Sequence, residues 1–152
     1  MTKELTEKVL PAVVVDALAD IAYLRRSPEL VCQVLQGFGV PSSSLFQEFY
    51  RRYEGPFWSE GKGYELIDAI EGEWSIVAST NLCRDQFGFP KKFLVITSYI
   101  ANQVVVLDAE SGRLYEVDFE GGDELLVKGL LPHKWESFEE FLVDYFSNID
   151  EL

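Results

Sequence analysis

The order of patterns along the chain predicts an α+β domain: N-terminal helices, a central and largely antiparallel sheet, and a C-terminal amphipathic helix packed on it. Three observations carry this. Apolar residues recur at helical spacing through the first third, β-rich runs separated by turn signals fill the middle, and a 3.6-residue apolar stripe closes the chain. With 152 residues, 47% of them hydrophobic, the chain can bury one ordinary core and is far too apolar for a disordered segment. A single domain over residues 1–152 is expected, because two would each be marginal.

The first helix is predicted over residues 11–25, since Pro11 suits a first turn and Val14, Ala17, Leu18 and Ile21 share a face. The run Val13–Val15 also favours a strand. Ser27-Pro28 opens a second helix with the stripe Leu30, Val31, Val34, Leu35 and Phe38, stopped by Gly37 and Gly39. Pro41 and Ser42–Ser44 open a third, with Ser44 and Gln47 spaced as a capping box. Its buried face is Leu45, Phe46, Phe49, Tyr50 and Tyr53, and Gly55-Pro56 ends it.

Residues 57–63 read as a loop, and 64–70 as the start of the sheet. Residues 74–87 fit both periods: Trp74, Ile76 and Ala78 alternate, while Trp74, Val77, Ala78 and Leu82 share a helical face. Strands are expected at 93–97, 103–108 and 114–118, with residues 108–113 as a hairpin turn and Gly112 in its left-handed position. Gly121-Gly122 reads as a further turn into a last strand at 125–130, completing a meander. Ser137 and Glu140 then cap a helix whose stripe is Phe138, Phe141, Leu142, Tyr145, Phe146 and Ile149.

The net charge is −13, and it is uneven. From Leu114 to Leu152 eleven carboxylates face two lysines, so nine of the thirteen net negative charges lie in that stretch. Such a field repels nucleic acid and anionic lipid and steers cationic partners inward; it also serves plain solubility. Cys32 and Cys83 belong to no metal spacing, so buried free thiols are the expectation and one disulfide is the alternative. The N-terminus lacks the pattern of a signal peptide, and no apolar run approaches a membrane span. A cytoplasmic protein is expected.

Residues that could carry chemistry have simpler readings. His133 is the only histidine, sits in a loop before the last helix, and has no sequence signal for a partner nucleophile. Residues 60–63 resemble a phosphate loop only superficially, lacking the full spacing and a preceding strand. Asp118, Glu120, Asp123 and Glu124 could attract a hard cation, but no EF-hand spacing is present. No catalytic set, cofactor site or metal site is predicted. Trp58, Tyr64 and Tyr99 are candidate interface anchors, with core packing as the rival role, and Glu116, Asp118 and Glu120 are candidate partner-binding acids.

A series of structural signatures adds to this. Gly39-Val40-Pro41 leads into a helix ending Phe49-Tyr50-Arg51-Arg52-Tyr53-Glu54-Gly55, followed by Phe89-Pro90 and a meander. The meander contains Val106-Leu107-Asp108 and Ser111-Gly112-Arg113-Leu114-Tyr115, and Ser137-Phe138-Glu139-Glu140-Phe141-Leu142 opens the last helix. The succession resembles the SUKH superfamily, including its Smi/Knr branch, over residues 28–147, with Glu54 standing where the family often has Asn. Residues 1–26 would be an N-terminal helical addition. The resemblance implies a non-catalytic binding domain. It points either to an immunity protein that neutralises a basic toxin domain such as a nuclease or deaminase, or to an intracellular regulator of the glucan-synthesis type. A monomer or weak dimer is expected.

Overall fold

The computed structural model describes residues 9–59 and 61–147. Helix α1 spans Ala12–Ala17, α2 Pro28–Gly37 and α3 Leu45–Arg52. A two-stranded ribbon follows, β1 Phe57–Trp58 with β2 Glu65–Leu66, and then α4 Ile76–Phe87. The meander is β3 Phe93–Val95, β4 Gln103–Asp108 and β5 Leu114–Asp118; α5 Gly122–Lys128 and α6 Phe138–Phe146 complete the order. The fold is α+β, with two small antiparallel sheets and the C-terminal helix packed on them.

Several boundaries differ from the sequence reading. The first helix stops at Leu18, and Ile21–Tyr23 forms a separate 3-10 turn whose Ala22 N–H donates to Asp20 Oδ1 at 2.8 Å. Residues 57 and 58 are a strand, not a loop, and only Glu65–Leu66 of the expected strand at 64–70 pairs with it. The ambiguous segment is helical from Ile76, because Ser75 caps it by accepting from Ala78 N–H at 3.2 Å. The predicted last strand at 125–130 is instead α5. Asp123 and Glu124 stand in its first turn, Lys128 in its last, and Gly129 at φ 75° ends it, the arrangement that favours a helix. Ile149 lies outside the described residues.

Other expectations hold. Ser44 Oγ accepts from Gln47 N–H at 3.1 Å, although the Gln47 amide turns inward to the Val40 carbonyl at 3.2 Å instead of closing a box. Ser137 Oγ accepts from Glu140 N–H at 3.1 Å, and Glu140 reaches back to Glu136 N–H at 2.9 Å. Gly112 has φ 82° in the hairpin turn, where its N–H donates to the Asp108 carbonyl at 2.7 Å.

The three-stranded sheet separates two apolar layers. Leu94, Ile96, Val105, Leu107 and Leu114 face the larger core, made with α1, α2, α3, α6 and the ribbon. Phe93, Val95, Val104, Val106 and Val117 face the smaller one, with Cys83 from α4 and Leu126 from α5. Strand β4 is central and buried on both faces, which explains its unbroken apolar run. In the larger core Phe46 packs edge-on against Phe138, and Phe57 packs tilted against Phe49 and Tyr50, at centroid distances of 4.8–6.3 Å.

Two buried polar devices tie this core together. Arg25 and Asp68 form a bidentate pair, with contacts of 2.6 and 3.1 Å. Arg25 also donates to the carbonyls of Tyr50 and Tyr53, while Asp68 accepts from the N–H groups of Gly55, Ile70 and Glu71, so the buried charges are well satisfied. The Tyr145 hydroxyl of α6 lies between the ribbon strands, within 2.7–3.1 Å of Leu66 N and the carbonyl oxygens of Phe57 and Tyr64. Burial pushes its pKa up to about 12.

Candidate functional site

The smaller apolar layer buries Phe93, Val95, Val104, Val106 and Val117, and a concave surface opens beside it. Helix α4 packs on β3 and α5 on β5. Where the β3–β4 hairpin projects beyond them, a cleft of about 730 Å³ opens, with Val95, Thr97 and Val104 on its floor. The segment before α4 forms one side of the cleft. Asp68 holds the N–H groups of Ile70 and Glu71 and starts the turn that carries residues 71–74 outward before Ser75 caps the helix.

Its walls are apolar side chains that a closed core would hide. Trp74 is 57% exposed on one rim and Tyr99 60% exposed on another, with Leu82 and Phe87 of α4 also exposed between them. Aromatic contacts link part of the wall: Tyr99 to Phe119 at 5.5 Å, Phe119 to Phe87 at 4.6 Å, and Phe119 stacked with Phe89 at 6.2 Å. The Tyr99 hydroxyl donates to Asn102 Oδ1, and Asn102 Nδ2 donates to Glu120 Oε2 at 3.1 Å. Tyr99 and Glu120 are therefore positioned as a unit.

Carboxylates surround the opening. Glu65, Glu71 and Glu73 line it, and among the described residues no Lys, Arg or His nitrogen comes within 4 Å of them. Elsewhere acids are engaged: Glu54 with Arg26, Glu48 with Arg51, and Glu136 with His133 at 2.6 Å. Those partners hold the Glu54 and Glu136 carboxyls below the usual range, Arg26 and His133 being the leading cause in each case. Cys83 also lines the cleft; burial raises its thiol to about 11, which keeps it protonated and unreactive near neutrality.

The six candidate residues divide among four places. Tyr99 lines the cleft and Glu120 is tethered to it through Asn102. Tyr64 and Glu116 line a smaller hollow of about 340 Å³ nearby. There Tyr64 packs on Tyr145 at 5.4 Å, burial raises its pKa, and Glu116 accepts from Lys134 at 3.2 Å. Trp58 stands exposed on β1 opposite Glu65 without lining either hollow. Asp118 is a turn residue: its carboxylate accepts from the N–H groups of Glu120 and Gly122, which lower its pKa.

The sequence reading missed Trp74, Leu82, Phe87, Phe119 and the carboxylates of Glu65, Glu71 and Glu73 as a group. The available signal was that residues 74–87, taken as a helix, are apolar on two sides. Both cysteines are free. Among the described residues no three His, Cys, Asp or Glu side chains gather to hold a metal, and no helix is long and apolar enough to cross a membrane. No protein-family model matches the chain, and no curated protein matches it.

Proposed function

We propose that this chain is a non-catalytic protein-binding domain that captures a basic protein, acting in the cytoplasm as an immunity protein that occludes a cognate toxin domain. The observation that carries the reading is the cleft, where Trp74, Leu82, Phe87 and Tyr99 stand exposed beside carboxylates without a cationic partner among the described residues. Aromatic anchors in a concave site supply binding energy, and the carboxylates of Glu65, Glu71 and Glu73 supply orientation. The net charge of −13 favours a cationic partner and disfavours nucleic acid. The resemblance to the SUKH pattern supplies the immunity role. Among the described residues the carboxylates with shifted pKa values, Glu54, Asp118 and Glu136, lie below the usual range, opposite to the shift a general acid needs at neutral pH.

Affinity capture of the tagged chain from its native lysate, at low and high salt with mass spectrometry of the bound proteins, tests this. One-to-one capture of a basic nuclease or deaminase domain, whose activity the chain then blocks, is the expected result. The association rate should fall roughly tenfold or more as salt rises. Salt-independent association, or an acidic partner, would overturn the reading. Capture of a basic housekeeping or envelope-synthesis protein would replace the immunity role with the regulatory one.

A further inference from the structure

Helix α4 has two working faces where a helix resting on one sheet needs one. Ile76, Thr80 and Cys83 are buried, and Thr80 Oγ1 accepts from Val95 N–H at 2.9 Å, fixing that face on β3. Ser79, Leu82, Cys83, Gln86 and Phe87 line the cleft. Their spacing is i, i+3, i+4, i+7 and i+8, the stripe one helix presents to another. The packing partner of α4 within the fold is β3, and Leu82 and Phe87 remain exposed.

Building on the protein-binding reading, we infer that the cleft receives an amphipathic, cationic α-helix of the partner, which packs against the exposed stripe of α4. The α4 stripe extends over about 12 Å, so two to three turns of the incoming helix would match it. Its apolar side chains would meet Leu82, Phe87 and Phe119. Its cationic flanks would meet Glu65, Glu71 and Glu73, with Glu120 held by Asn102 near Tyr99 and Phe119. Trp74 offers an exposed ring on which a guanidinium can stack. Helix-in-groove recognition reads such anchors at i, i+3, i+4 and i+7, which fits the spacing on α4.

A synthetic peptide of about four turns provides the probe, with leucines at i, i+3, i+4 and i+7 and arginines on the opposite face. Two controls accompany it: the same composition with a central proline, and glutamate in place of arginine. Amide and indole NMR shifts of the full chain locate binding, and circular dichroism reports peptide helicity. Binding with helix gain is expected, with shifts in α4, residues 95–99 and the Trp74 indole. Leu82→Glu should weaken it roughly tenfold or more, as should the double reversal Glu71→Lys with Glu73→Lys. Val143→Glu, at an exposed position of α6, should leave it unchanged. Thermal melts check that each variant folds. Equal binding of the proline peptide, indifference to Leu82→Glu, or no binding at millimolar peptide would overturn the proposal. Shifts confined to another surface would also overturn it while leaving the protein-binding reading intact; tighter binding of the glutamate peptide would overturn both.

Discussion

Alternate residues of the same three strands build the two faces of the sheet, yet the faces end differently. Toward the larger core, Leu94, Ile96, Val105 and Leu107 meet helices on a sealed interface with two well-bonded polar bolts, Arg25–Asp68 and Tyr145. Toward the smaller core, Val95 and Val104 are buried too, but Trp74, Leu82, Phe87 and Tyr99 stand exposed around an open cleft beside them. Stability is concentrated on the first face, which leaves the second free to present apolar surface. The contrast can be broken at the first face and sharpened at the second.

The largest effect is expected at Asp68. Asp68→Ala would strand the Arg25 guanidinium, whose side chain is 1% exposed, and release the N–H groups of Gly55, Ile70 and Glu71. Breaking a buried pair on one side costs about 3–5 kcal/mol. Urea denaturation checks the magnitude, and a loss under about 1 kcal/mol would show that the pair is not the bolt described. The same variant should disorder the turn leading to Trp74, so the second face would feel damage to the first.

Tyr145→Phe comes next. It would leave Leu66 N–H and the Tyr64 and Phe57 carbonyls without the hydroxyl between them, at a cost of about 1–3 kcal/mol. The variant also carries a pH signature. The folded phenol titrates at about 12, above the ordinary value near 10, with burial as the leading cause. Its contribution is therefore fully present below the ordinary value and is lost as pH rises through the folded one. Tyr50 and Tyr64 are displaced in the same direction. Stability measured by denaturant midpoints should fall across that alkaline window, and less steeply in Tyr145→Phe; equal slopes would remove Tyr145 from the account.

What the sequence made legible follows the same division. Helices α3 and α6 announce themselves by the capping serines Ser44 and Ser137 and by apolar stripes, and α2 by Pro28 in its first turn, although Ser27 makes no side-chain cap bond and Leu30 of the expected stripe is exposed. Strand β4 and the Asp108–Arg113 turn were equally readable, since Gly112 marks the left-handed position. Helix α5 was not, because its seven residues are too few to display a period and Leu125, Leu126 and Val127 favour either state. The two-sided apolarity of α4, which hid its secondary structure, is also what forms the cleft. Tyr99 and Glu120 were found as candidates from composition and position, but Trp74 and Glu71 owe their placement to Asp68 and Arg25, partners 43 residues apart with no sequence signal.

A smaller, stabilising change is available at the tip between the faces. The β3–β4 connection ends in a two-residue turn in which Ala101 has φ 56° and Asn102 φ 63°, with Ile100 and Gln103 exchanging both backbone hydrogen bonds. Such turns favour Asn-Gly or other residues at ease in the left-handed region, and alanine is strained there. Ala101→Gly relieves the strain but frees the unfolded chain, whereas Ala101→Asn keeps more of the entropic advantage. Ala101→Asn should therefore raise stability by about 0.5–1 kcal/mol, seen as a higher melting temperature; an unchanged or lower value would mean that the turn is not strained by alanine.

A small effect is expected where the binding proposal is most exposed. Leu82→Ser and Trp74→Ala remove side chains about half of whose surface already faces water, so each should cost no more than about 1–1.5 kcal/mol of folding stability. Phe141→Ala, a fully buried contrast in the larger core, should cost about 3–5 kcal/mol. If Leu82→Ser were as damaging as Phe141→Ala, its side chain would belong to the core and the cleft would be a packing defect. If it were neutral, the apolar surface at the cleft would contribute little to folding, leaving recognition as the role that accounts for it.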